Sequence, residues 1–97
     1  MILNERETPE GLLVAVCDSD ILGETFGNGE ISLTVSEDFY GTEQASEEAV
    51  VESLSRASVA NIVGKDAVRV AIDNGFIHQD NVLEIGETLH AQMLRMA

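Results

Sequence analysis

A chain of 97 residues with 18 acidic and 5 basic side chains carries a formal charge of −13 and is 44% hydrophobic. That length holds one domain, residues 1–97, with a modest core, and that composition excludes a chain too polar to fold. No apolar run reaches the length of a bilayer span, and a single cysteine, Cys17, excludes an intrachain disulfide.

The acids are spread along the chain and interleaved with apolar positions, a pattern that suits molar salt, where the Debye length is about 3 Å and self-repulsion is screened. The competing reading is an acidic face that recognises a basic partner. Residues 1–8 lack the basic and apolar regions of a signal peptide, so the expected compartment is the cytoplasm, with no membrane contact. No DNA partner is expected of so acidic a chain.

In chain order, residues 2–7 and 12–17 flank Thr8-Pro9-Glu10-Gly11, whose proline and glycine fit the second and fourth positions of a type I turn. The spacing predicts a β-hairpin. Its second strand is apolar at every position and is expected to be central, whereas the first alternates and lies nearer an edge. Residues 18–23 begin with the capping residue Asp18 and end with Gly23, as a single helical turn does. Gly27, Asn28 and Gly29 mark a turn, and the alternation over 30–35 predicts a third strand with Ile31, Leu33 and Val35 on one side. Residues 36–45 read as a loop; it holds Phe39 and Tyr40, half the aromatic residues, either pinned to the core or used for binding.

Ser46 caps a first long helix with Glu47 and Glu48 in its opening turn and a buried stripe of Val50, Val51, Leu54 and Ala57. A tight apolar link leads from there to Gly64, expected at the N-cap of a second helix over 65–74 that buries Ala67, Val68, Ala71 and Ile72 and stops at Gly75. This joint is the predicted hub of the fold. A polar connection over 78–81 precedes a last hairpin, 82–85 and 89–96, turning on Gly86, Glu87 and Thr88. The order of elements predicts an α+β fold: a small, mainly antiparallel sheet with a pair of helices packed on one face.

Several short motifs in order, Leu13-Val14-Ala15-Val16-Cys17-Asp18, Leu22-Gly23 with Phe26, Phe39-Tyr40-Gly41, Ala60-Asn61 with Val63-Gly64, and His90-Ala91-Gln92, resemble an archaeal family known as domain of unknown function 424. The resemblance runs nearly end to end. Glu87-Thr88-Leu89 departs from the family's usual glycine, apolar residue and proline before the histidine. The resemblance implies a small stand-alone protein with genes near translation genes.

The candidate sites each carry two readings. Cys17 and His90 would form a thiolate and base pair if their strands are neighbours; a cysteine closing a buried strand is otherwise a small core residue. Asp18, Asp20 and Glu24 place three carboxylates within seven residues but lack the spacing of a calcium loop, and capping and solvation account for them. Lys65, the one lysine, stands at a helix start beside Gly64, where free amides favour an anion; the alternative is a solvated charge. Asn61 either touches a ligand or steadies the link. His90 and Gln92, two apart on a strand, share a face that is either a contact site or plain surface.

The leading expectation is therefore a non-enzymatic, translation-associated binding module that contacts RNA or a ribosomal or translation-factor protein through Asn61, Gly64, Lys65, His90 and Gln92. No catalytic residue, metal or cofactor is expected. The alternatives are a small hydrolase or transferase using Cys17 with His90, and a purely structural homodimer paired through edge strands.

Overall fold

The computed structural model describes residues 1–27 and 29–95. Strands β1 (Ile2–Thr8), β2 (Gly11–Cys17), β3 (Thr25–Gly27), β4 (Ser32–Thr34), β5 (Val59–Val63), β6 (Leu83–Ile85) and β7 (Thr88–Leu94) accompany helices α1 (Glu37–Tyr40), α2 (Glu47–Arg56) and α3 (Lys65–Asp73). Five strands form the main sheet in the order β1-β2-β5-β7-β6, and β3 pairs with β4 alone. Every pairing is antiparallel except β2 with β5, so the fold is α+β with a mainly antiparallel sheet.

The first hairpin closes on Pro9 and Glu10, with Thr8 opposite Gly11 and the Thr8 hydroxyl donating to the Gly11 carbonyl at 2.7 Å. β2 lies between β1 and β5, and the alternating β1 forms the edge. Both expectations hold, and the reason is burial: Val14, Val16, Ala15 and Cys17 reach both faces with at most 2% exposure.

The apolar link expected between the long helices is strand β5, in the middle of the sheet. Ala60, Ile62 and Val63 are fully buried, and a segment buried on both sides must satisfy its backbone amides and carbonyls within a sheet. Alternation then sorts the core. Val14, Val16, Ala60, Ile62, Ala91 and Met93 join the buried residues of α2 and α3, including Val50, Leu54, Val68 and Ala71. Ile2, Ala15, Cys17 and Val63 meet Val35 and Tyr40 in a second cluster.

The expected third strand is shorter, Ser32–Thr34, and stays outside the main sheet. Ile31 is half exposed while Val35 is buried, so the two do not share one buried side. The expected loop over 36–45 contains α1, capped by Ser36, whose hydroxyl accepts from the Phe39 amide at 3.3 Å, and ended by Gly41 at a φ of +75°. Tyr40 is pinned in the second cluster, edge-on to Phe39. The last hairpin turns on two residues, Gly86 and Glu87, with Thr88 already the first residue of β7. Of the expected elements, Asn28 in the glycine turn and Met96 at the end of the last strand lie outside the described residues.

Ser46 caps α2 as expected, its hydroxyl accepting from the Ala49 amide at 3.1 Å. Asp18 does not cap the short turn that follows it. Its carboxylate accepts from the amides of Asp66 at 3.1 Å and Ala67 at 2.8 Å, and so caps α3 from the end of the neighbouring strand β2.

Candidate binding face

Register places the candidate residues. Asn61 on β5 lies opposite Gln92 on β7, Val63 opposite His90, and Val59 opposite Leu94. Directly paired residues in a sheet share a face. Leu83 pairs with His90, and Leu13 pairs with both Val59 and Arg6. Asn61, Gln92 and His90 therefore sit together with Arg6, Leu13, Val59, Leu83 and Leu94. The inner part of this face, with Ala15, Cys17 and Val63, is roofed by residues of α1 and the β3–β4 pair. The outer part faces water: Leu94 is 71% exposed and Leu83 56%.

His90 Nε2 lies 3.1 Å from Asn61 Oδ1. With its amide oxygen toward the ring, Asn61 accepts from Nε2, which fixes the imidazole tautomer. Burial of the half-exposed ring holds its pKa below the ordinary 6.5, so His90 is neutral at pH 7 and the pair acts as a fixed dipole. Arg6 stands at the opposite border, its guanidinium 5.6 Å above the Phe39 ring and donating to the Asp38 carbonyl. None of the chain's 18 acidic residues belongs to this set.

Gly64 and Lys65 lie elsewhere, at the start of α3, where a cleft of about 690 Å³ is lined by Asp18, Asp20, Glu24, Phe26, Lys65 and the β6–β7 turn. The anion site expected here is already filled from within, because Asp18 occupies two of the free amides. A second anion would meet the Asp18 and Asp66 carboxylates. Gly64 is structural: its φ is +111°, and a Cβ there would come within 2.6 Å of both Asp18 carboxylate oxygens. Lys65 is exposed and makes no ion pair among the described residues.

Cys17 and His90 do not meet. They share a cross-strand row, but Val63 stands between them, a separation of about 10 Å from two strand spacings. The thiol is fully buried and pushed up to about 11, first by desolvation and then by the neighbouring Asp18 charge. A thiolate is the reactive form, so native protein at pH 8 is expected to resist iodoacetamide, with alkylation only as fast as unfolding. Rapid labelling of the folded protein returns Cys17 to the list of nucleophiles. The carboxylate trio also loses a member, since Asp18 is committed to α3, and no group of three or more metal-ligating side chains stands together among the described residues.

A family model described as "protein of unknown function (DUF424)" matches residues 5–96. The chain belongs to this family. This DUF424 chain is also similar to a solved structure described as an uncharacterized conserved protein from Methanopyrus kandleri, at 26% identity and a TM-score of 0.79, over 99% of this chain and 93% of that one. No curated protein matches it. The motif residues that marked the DUF424 resemblance meet at Asp18 against Gly64, at Asn61 against His90, and in the second core cluster, where Ala15, Cys17, Tyr40 and Val63 pack with Leu22, Phe26 and Phe39. The residues of this face that the sequence did not single out are Arg6, Val59, Leu83 and Leu94; Leu13 stood there only as part of a family motif. Val59 shares strand parity with Asn61, and Leu94 with His90; Arg6 and Leu83 reach the face only through the register between strands.

Among the described residues, no helix is long and apolar enough to cross a membrane.

Proposed function

We propose that this DUF424 protein is a non-enzymatic cytoplasmic binding module that serves translation by docking a protein partner on the outer half of its sheet face. The observation that carries the reading is a leucine-bearing set of strand residues without carboxylates on a chain of charge −13. In this reading α2 and α3 pack as a pair on the opposite face and give the sheet a rigid backing. The excess charge is an adaptation to molar salt.

RNA suits this face less well than protein does. Sheet surfaces that bind single strands stack bases on aromatic side chains and follow phosphates with cations. Here leucine and valine stand where rings would be, and Arg6 is the one cation. Arg56 and Arg69 are tied to carboxylates on and around the long helices. Pairing with a second copy through a sheet edge also has little to use. The β1 edge is bonded to 43–45 at its start and continues as Glu5-Arg6-Glu7, while β6 has three residues. Short and charged edges resist strand addition.

Co-sedimentation with ribosomal subunits at native salt tests the proposal. The native chain is expected in the subunit fractions and a Leu83→Asp/Leu94→Asp variant in the supernatant, with an unchanged thermal midpoint, because exposed substitutions cost about 0.5 kcal/mol or less. A native chain found wholly in the supernatant, or a variant that sediments undiminished, overturns it.

A further inference from the structure

We infer that the partner segment covering this face carries its own carboxylate, placed to meet Arg6, and at the far end of the same row an apolar residue that covers Leu94. The inference rests on the docking role proposed for the face and adds the charge of what docks there.

The exposed charges sort themselves by surface. Arg56 reaches Glu5 and Glu52, Arg69 reaches Glu47 and Asp73, and Arg95 turns to the helix side, donating to the Ser55 carbonyl at 2.8 Å. Lys65 stands in the cleft with Asp20, Asp66, Glu84 and Glu87. A cationic partner finds complementary charge around α2 and in that cleft, and finds none among the strand residues of the face, where its cations would lose water without gaining a partner. A carboxylate meets the reverse: repulsion over most of the molecule, and one exposed guanidinium on the face. Arg6 has five N–H donors, and its contact with the Asp38 carbonyl leaves most of them for an incoming carboxylate.

The register supplies a length. Arg6, Leu13, Val59 and Leu94 form one row across β1, β2, β5 and β7, so Arg6 and Leu94 are three strand spacings apart, about 14 Å. An extended segment spans that distance in about four residues and a helix in about nine or ten. Gln92, exposed one row away, can bond a peptide group of the segment between those two anchors.

A photo-crosslinking amino acid at position 92 of the full chain, activated in native-salt lysate, tests this, with position 65 as the cleft control. The expected adduct at 92 is a peptide with an apolar residue and an Asp or Glu within about ten residues of each other. Arg6→Gln is expected to lower its yield roughly two- to five-fold, the range for one rim ion pair, with Arg6→Lys retaining most of it. A basic peptide, an RNA adduct, or a yield indifferent to Arg6→Gln overturns the inference and leaves the docking face standing. An absence of any adduct at 92 removes the face itself. Adducts at 65 alone move the site to the cleft and overturn both.

Discussion

Gly64→Val is expected to destabilise the fold by about 3 kcal/mol or more, through backbone strain at a positive φ and the loss of a helix cap. Two costs fall on one residue. A β-branched side chain at φ +111° is strained whatever space surrounds it, and here there is none: the new Cβ overlaps the Asp18 carboxylate. Asp18 is only 8% exposed and its oxygens hold the Asp66 and Ala67 amides. Displacing it leaves a buried charge and two helix-start donors without partners, which is the expensive way to lose a hydrogen bond. Urea unfolding should show a lower midpoint with an unchanged slope. The coupling is testable by a cycle: in an Asp18→Ala background, Gly64→Ala should cost less than in the native chain, because the overlap is gone and only the φ strain of about 1–3 kcal/mol remains. Equal costs in the two backgrounds mean that the carboxylate does not hold the glycine in place.

That contact explains what the sequence conveyed and what it concealed. Local signals read correctly: Pro9 and Gly11 at the hairpin, Ser46 before α2, Gly64 and Gly75 at the ends of α3. Asp18 also carried a local signal, and it misled, because the amides that the carboxylate serves lie 48 and 49 residues further on. β5 was missed for a related reason. Its five residues have no turn of their own, and its parallel partner is β2, which no hairpin links to it. The β-branched residues Val59, Ile62 and Val63 between Ser58 and Gly64 were the available sign. α1 was legible too, in Ser36, two acids and Gly41, but the aromatic pair between them suggested a pinned loop.

The candidate face was half legible. His90 and Gln92 share a face by strand parity alone, so their pairing needed no tertiary knowledge. Asn61 joined them only once β5 was a strand in register with β7. Arg6, Leu13, Leu83 and Leu94 come from four strands, and no one-dimensional pattern distinguishes an exposed leucine at a sheet face from a core one. Lys65 attracted notice by being unique, yet the amides beside it were already engaged.

Raising KCl from about 0.1 M to about 1 M is expected to lift the thermal midpoint by roughly 10 °C, because screening shortens from about 10 Å to about 3 Å. Of the chain's 18 carboxylates only Asp18 is buried. Four others, Glu5, Glu47, Glu52 and Asp73, reach an arginine, which leaves thirteen exposed acids with no arginine or lysine partner among the described residues. A like-charge neighbour at about 10 Å costs roughly 0.4 kcal/mol in unscreened water, and two such neighbours per unpaired acid, each pair counted once, come to roughly 2 kcal/mol after screening at 0.1 M. Most of that repulsion disappears by 1 M and is weaker throughout in the extended chain, so the folded state gains. One kcal/mol corresponds to about 4–8 °C in a domain of this size. Salting-out of apolar surface also stabilises proteins, but it keeps growing with concentration, whereas screening saturates. The midpoint should therefore climb steeply to about 1 M and flatten beyond it. A straight climb through several molar assigns the effect to apolar burial, and a midpoint that does not move removes the salt-adaptation reading of the charge.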